Sequence, residues 1–541
     1  MNPNADAISR LRARHPDIAG PLGASWWQLV RDAYQASGGF RVAVERARTD
    51  AKATGDTVQP VVSPVDGSYL RRFGRETAQA FGERQRVSFY RNHVRTIVSQ
   101  YQGLLWRRPP QREATIAAVA SWWADTDGAG TPVARWLPLG SRRAQLFGWA
   151  AAYFDRPREA QSLASARTFA RWLQPEELAD WQHAPDGSLE WVRLCTVTCA
   201  RDPFTGAEVR REHYTTWTRE VFQVDVVEGA QGAETLTSTG PVPHALGAVP
   251  VAILYWQPPE EPSTLFGTSH IDGAVSASLE LFNVSSEARA VERGSAFPIL
   301  YLQTRTRGTL ASLKLGVNNG IEVENDVTMP PGFITPPAEI SAHYAARRAE
   351  LRDEVYQSAN LDPPAAQIAP PESGVARAYK FLPRRSVLVD ACEQLAVFER
   401  RCVEILARWE GATTPEAIAA WQAATIVTYA TDFDVQDAGA ALEQGKAVLD
   451  LDTAVAPVTR RAARLSVGRA VAPQATPADD AALNEQVETL YQRDLATLNA
   501  PKPAAPPPGP TPSPDPAASG ARDPALPPGA NGGGNGPAAG A

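Results

Sequence analysis

The chain has 541 residues, of which 43% are hydrophobic and 21% are charged, so most of it can fold and full-length disorder is excluded. Its 53 basic and 60 acidic residues give a net charge of −7, which argues against a protein that binds nucleic acid non-specifically through an excess of basic residues. Four cysteines are too few for a disulfide framework, so we expect a reducing compartment. No apolar run approaches the ~18 residues of a membrane span, and we expect neither a membrane span nor a secretory signal.

The first half of the chain divides into a helical part and a β-rich part. Apolar residues at helical spacing predict a helix over residues 87–106, which the pair Pro109-Pro110 ends. Strand-like runs separated by turn residues then predict antiparallel strands over 189–198, 213–217, 220–227 and 251–256. The sequence therefore predicts a module of meandering strands after a helical segment.

Three long helices dominate the second half. The first is predicted over 268–293, and a strand at 297–303 leads towards the second helix at 339–358. A proline-rich loop at 360–374 precedes the third helix, which ends near Trp409. A strand at 424–429 and helices across 437–497 complete the folded part, and the Pro/Gly-rich residues from 501 onward are predicted to be disordered because they lack apolar side chains to bury.

No segment has the spacing of a catalytic or metal-binding motif. The seven histidines do not lie at ligand spacing, and residues 439–446 depart from the phosphate-binding loop in glycine spacing and in the residue after Lys446. Cys195 and Cys199 lie four apart in a predicted strand and are expected to be buried and structural. We therefore expect a protein that is not an enzyme and has no cofactor or metal; a hydrolase with dispersed carboxylates is the alternative, although no motif favours it.

Several short segments follow one another in a characteristic order. They are Tyr90-x-Asn92, the stretch 144–157 with Gly148 and Asp155-Arg156-Pro157, the strand segments 177–192, His-x-x-Gly-x-Val-Pro at 244–250, Gly-Thr-Ser-His-Ile at 267–271 and Ser-Gly-x-Ala at 373–376. In this order they resemble the portal, or head–tail connector, proteins of tailed bacteriophages. The likeness spans roughly residues 65–470, and each segment alone is degenerate.

The resemblance implies an α+β fold that is mainly helical, with a β-rich wing module, long stem helices, a small α/β clip and a helical crown. It assigns the regions as follows: 1–266 N-terminal helices and wing, 267–294 first stem helix, 295–337 clip, 338–358 second stem helix, 359–375 tunnel loop, 376–436 long helix and wing return, 437–499 crown, and 500–541 disordered tail.

The resemblance also implies a function and a set of partners. About twelve copies would form a ring at one capsid vertex and let double-stranded DNA pass during packaging and ejection. The terminase large subunit and then head-completion or adaptor proteins would dock on the ring. The major capsid protein would be a further partner, with or without scaffold. The protein would be assembled in the host bacterial cytoplasm and reside in the virion. The alternative is another phage structural or adaptor protein without a DNA channel.

Three groups of candidate residues follow from this assignment. The candidate tunnel-loop residues are Asp362, Pro363, Pro364, Gln367, Ile368, Pro370 and Glu372. The candidate polar residues of the channel and stem are Glu280, Glu287, Arg347, Arg348, Glu350 and Arg352. The candidate stem-packing residues are Ile271, Val275, Leu279 and Phe282. An ordinary connector for the loop, and helix-surface ion pairs for the charged residues, remain the simpler interpretations.

Overall fold

A computed structural model describes two compact units of the chain, Met1–Val435 and Gln436–Ala541. The described residues are 5–21, 23–41, 66–74, 76–156, 167–201, 203–206, 208–229, 234–261, 264–296, 299–303, 320–323, 332–334, 338–363, 374–430, 433, 447, 456–471 and 477–499. The described sheets are mainly antiparallel and are not built from regularly alternating strands and helices, so the fold is of the α+β class.

The α-helices of the described residues are, in chain order, α1 (Ala5–Arg12), α2 (Ala24–Gln35), α3 (Ala78–Val87), α4 (His93–Leu105), α5 (Ala117–Ala124), α6 (Val133–Phe147), α7 (Asp272–Ala296), α8 (Ala338–Gln357), α9 (Gly374–Trp409), α10 (Pro415–Ala423), α11 (Pro457–Val471) and α12 (Pro477–Asn499). The single helix predicted over 87–106 is wrong at its start. Ser88 ends α3, and the Asn92 side chain accepts a hydrogen bond from Arg95 N at 2.8 Å, so a new helix begins there.

The strands of the described residues are β1 (Gln111–Ala114), β2 (Trp149–Asp155), β3 (Phe169–Trp172), β4 (Leu178–His183), β5 (Leu189–Arg201), β6 (Glu208–Thr218), β7 (Val221–Glu228), β8 (Thr235–Ser238), β9 (Val242–Pro243), β10 (Val251–Tyr255), β11 (Ile299–Gln303), β12 (Gly320–Val323), β13 (Gly332–Ile334) and β14 (Thr425–Thr428). They form an antiparallel six-stranded sheet of order β4-β5-β6-β7-β8 with β9 beside β7, two three-stranded sheets of order β10-β2-β3 and β12-β11-β13, and the pair β1-β14. Of the described pairs, β11-β12 alone is parallel.

The β5–β6 hairpin is long because its strands pair without interruption from Trp191↔Thr218 to Arg201↔Glu208. Its first half packs on the core, but its second half extends beyond it. Cys195 is therefore buried whereas Cys199 is exposed, although both point to the same side of the strand. The expectation that Cys199 is buried is wrong, because the strand extends beyond the residues that bury Cys195.

The hydrophobic core of the first unit lies between α4, α6, α7, α9 and the β10-β2-β3 sheet. Large aromatic side chains fill it, and Trp27, Trp149 and Phe398 are almost completely buried. Trp136 stacks on Trp172 with ring centroids 4.2 Å apart. Because each such ring removes about 150–250 Å² from water, these residues supply much of the apolar burial that stabilises the unit.

The second unit contains the helices α11 and α12, which pack on one another. Arg464 pairs with Asp494 and Arg461 with Glu488, both at 2.8 Å. Gly468 lets the helices approach closely, because an added Cβ would lie 2.7 Å from the Leu483 side chain. The predicted disordered tail, 500–541, lies outside the described residues.

Candidate functional site

The helices α7 and α8 form an antiparallel pair. Gly273 lies against Ser358, whereas the Tyr344 hydroxyl donates to Glu287 at 3.5 Å, so residue numbers rise along one helix as they fall along the other. Leu281 and Leu351 are buried between the helices. The chain thus leaves the β-rich module along α7 and returns along α8, with strands β11 to β13 between them.

The start of α7 is fastened to the core by hydroxyl and amide groups. The Ser269 hydroxyl donates to Leu146 O at 2.7 Å and accepts from Ile271 N at 3.3 Å. Gly267, which precedes Ser269 by two positions, lies against Gly148. Gly148 has φ +84°, and a Cβ added to it would lie 2.1 Å from the Gly267 carbonyl oxygen. Glycine is therefore required at position 148 both for its backbone angle and for space.

His270 is buried beside this contact. Gln145 accepts from Gln102 Nε2 at 3.0 Å through its oxygen and donates its amide nitrogen to His270 Nδ1 at 3.3 Å. The proton of the neutral ring therefore lies on Nε2, which has no hydrogen-bond partner among the described residues. Burial lowers the pKa of His270 to about 4, because the site does not solvate a charged ring.

The four candidate stem-packing residues lie against this chain's own core. Ile271, Val275 and Phe282 are buried, and Leu279 is half-buried. Phe282 contacts Phe40 with ring centroids 5.2 Å apart. Packing of this stripe against a neighbouring subunit stays a prediction.

The six candidate polar residues each have a partner within the chain. Glu280 pairs with Arg71 at 3.3 Å and Arg348 with Glu292 at 2.9 Å. The remaining contacts are Glu287 with Tyr344, Arg347 with Glu350, and Arg352 with Asp353. These contacts agree with the simpler interpretation of helix-surface pairs, and an orientation towards a channel stays a prediction.

The segment predicted as a tunnel loop is described only at its beginning. Asp362 is exposed and Pro363 half-buried, whereas Pro364, Gln367, Ile368, Pro370 and Glu372 lie outside the described residues. Two contacts hold the chain just before it. Leu361 N bonds to Tyr356 O at 2.9 Å, and Tyr101 donates to Ala359 O at 2.7 Å. The end of α8 is therefore fastened to α4 in the core.

A buried ion pair that the sequence does not reveal joins β1 to α9. Arg112 donates to both carboxylate oxygens of Glu399, at 2.8 and 2.9 Å, and the Tyr429 hydroxyl also donates to Glu399. Glu399 is 1% exposed and Arg112 10% exposed. Burial is the main cause that raises the pKa of Tyr429 well above its ordinary value, and the nearby Glu399 charge adds to it.

The described residues contain no group of three or more His, Cys, Asp or Glu side chains that could hold a metal ion. Burial raises the pKa of Cys392 to about 12 and that of Cys402 well above its ordinary value, so both thiols stay protonated and unreactive. Among the helices that the structure describes, none is both long enough and apolar enough to cross a bilayer.

No protein-family model and no curated protein matches the chain. One solved structure, titled "Neck of empty GTA particle computed with C6 symmetry", contains a chain that is similar to this one. The two chains are 12% identical in sequence, and the match covers 68% of this chain and 88% of that chain. The TM-score is 0.32, at which the two chains share too little geometry for the match to bear on function.

Proposed function

We propose that this chain is a subunit of a phage portal, a ring of about twelve copies at one capsid vertex. Double-stranded DNA passes through the axial channel of this ring when the genome is packaged and again when it is ejected. The protein is assembled in the host bacterial cytoplasm and stays in the virion as the head–tail connector.

One observation carries the proposal, namely the order of the elements around the antiparallel pair α7 and α8. A β-rich module precedes α7, the small sheet β12-β11-β13 lies between the two helices, and the 36-residue helix α9 follows. This is the order of wing, stem, clip, stem and long helix in the portal family that the sequence resembles. The hydrogen bonds that join the start of α7 and the end of α8 to the core support a stem that is anchored to the wing.

The charge of the chain suits a conduit that must release DNA. Each copy carries −7, so a ring of about twelve carries on the order of −80 charges. Because every contact between a cation and a phosphate adds affinity, a ring with a net negative charge holds DNA weakly and lets it slide. We therefore propose steric guidance of DNA rather than tight binding.

The proposal assigns no catalytic activity to this chain. ATP hydrolysis belongs to the terminase large subunit, which docks during packaging. Head-completion or adaptor proteins replace it afterwards, and the major capsid protein, with or without scaffold, surrounds the ring. The clip region, with strands β11 to β13, is the proposed docking site for terminase and then for the adaptor.

The native mass of the purified protein, with negative-stain images of the same sample, tests this proposal. We expect a species of about 700 kDa, twelve times the 58.2 kDa chain, seen end-on as a ring with a hole wide enough for duplex DNA. A monomer or dimer that stays small at high protein concentration and shows no rings would refute the proposal. That outcome would favour an adaptor protein without a channel.

A further inference from the structure

A pocket of about 470 Å³ opens between α7, α8 and the segment that joins α3 to α4. Its size is within the range of sites that hold small ligands or single side chains. Leu281 and Phe282 give it an apolar wall, and the rest of its lining includes four arginines and one glutamate. The described residues thus form a concave surface with two kinds of lining, which neither the ring nor the channel explains.

Basic side chains outnumber acidic ones in this pocket. The charged lining residues are Arg91, Arg289, Glu292, Arg348 and Arg352. Arg348 pairs with Glu292, and Arg352 pairs with Asp353, both at 2.9 Å. Within the described part of the chain, no carboxylate forms an ion pair with Arg91 or Arg289. The pocket therefore has an unbalanced positive charge that favours an anion.

The two guanidinium groups without a carboxylate partner lie over the same aromatic ring. Arg91 and Arg289 lie over the half-exposed Phe89 ring, at 5.5 and 5.1 Å from its centroid. Arg289 also donates to Val87 O at 2.6 Å. These contacts keep two exposed positive charges near each other on one aromatic side chain, where they favour an anion.

Two buried hydroxyls also line the pocket. Ser278 is 1% exposed, and its side chain faces the hydroxyl of the neighbouring Tyr90. Neither hydroxyl has another hydrogen-bond partner among the described residues. A contact between two hydroxyls uses only one of their two protons, so the other remains to donate to a ligand that accepts a hydrogen bond.

We propose that this pocket binds the carboxylate side chain of a partner polypeptide, with Arg91 and Arg289 on the carboxylate and an apolar neighbour of that residue on the Leu281 wall. A duplex phosphate backbone does not suit a concave pocket with an apolar wall. The face of Phe89 where a base would stack is occupied by guanidinium groups. The proposal goes beyond the ring function and does not depend on it.

Fluorescence anisotropy tests the proposal on the full chain, with a fluorescein-labelled octapeptide of alternating Glu and Leu as the probe. We expect saturable binding that weakens as NaCl is added, and at least tenfold weaker binding of the matched peptide with Gln in place of Glu. The variant R91Q/R289Q should bind the Glu peptide at least tenfold more weakly, because two charge-assisted contacts are lost. S278A should weaken binding severalfold.

The matched control is R86Q/R347Q, which removes two exposed arginines from α3 and α8 outside the pocket and changes the net charge equally. We expect it to bind within about twofold of the wild type. Equal binding of the two peptides, equal losses in both double variants, or no saturable binding would each overturn the proposal. Tighter binding of an eight-nucleotide single-stranded DNA than of the Glu peptide would overturn the choice of a polypeptide. Ring mass is measured separately, so the two proposals fail independently.

Discussion

The buried histidine at the start of α7 should make the stability of the first unit fall in mildly acidic solution. The pKa of His270 is lowered from 6.5 to about 4 by burial. An unfolded chain therefore takes up this proton below pH 6.5, whereas the folded chain does so only below about pH 4. Stability from this source is complete at pH 7 and is lost as the pH falls through that window.

The size of the effect follows from the two pKa values. At pH 5 the proton is bound in the unfolded state and still absent in the folded state. This pH lies about 1.5 units below the pKa of 6.5 in the unfolded state. At about 1.36 kcal/mol per unit, the free energy of unfolding falls by about 2 kcal/mol between pH 7 and pH 5. The full loss, below pH 4, approaches about 3 kcal/mol.

Urea unfolding followed by tryptophan fluorescence at pH 7, 6 and 5 measures this loss in the wild type and in His270→Gln. Gln cannot titrate, so the variant should lose about 2 kcal/mol less than the wild type over this range, whatever its stability at pH 7. Identical pH dependence in the two proteins would refute the reasoning, because it would mean that the folded protein solvates a charged His270.

Three further changes probe the same unit by urea unfolding. Glu399→Gln should lower the free energy of unfolding by about 3–5 kcal/mol because it leaves the Arg112 guanidinium buried without its carboxylate. Arg347→Gln, in an exposed pair, should lower it far less, and equal losses would contradict the importance of burial. Gly148→Ala should lower the free energy of unfolding by more than about 1 kcal/mol because its Cβ would meet Gly267. Gly103→Ala, in open space on α4, should be neutral or stabilising. An unchanged stability of Gly148→Ala would show that the contact at Gly267 relaxes. Ser269→Ala should cost about 1–2 kcal/mol through the loss of its two hydrogen bonds, and an unchanged unfolding midpoint would show that water replaces them.

The long helices could be predicted from the sequence because their signal is local. Apolar residues recur along α7 and α9 at helical spacing, and prolines mark the segment between α8 and α9. The break between α3 and α4 is hidden in the sequence because the apolar pattern continues across it, although Asn92 is a good N-cap residue. At this position the N-cap residue Asn92 starts a new helix where the apolar periodicity alone predicts a continuous one.

Contacts between distant positions could not be predicted in the same way. The pair Arg347–Glu350 is visible from its spacing of three, but Arg348–Glu292 depends on how two helices are aligned. Arg112 and Glu399 are separated by 287 positions, and no sequence pattern links them. The basic pocket was missed for the same reason, since its arginines come from three segments that only the fold brings together.

The uneven burial of the four cysteines has a practical consequence. Cys195, Cys392 and Cys402 are buried, whereas Cys199 is exposed near the outer end of the β5–β6 hairpin. A maleimide dye added to the native protein should therefore attach at one position per chain without any engineered cysteine. In an assembled ring, the number of photobleaching steps from a single particle would then count the subunits directly.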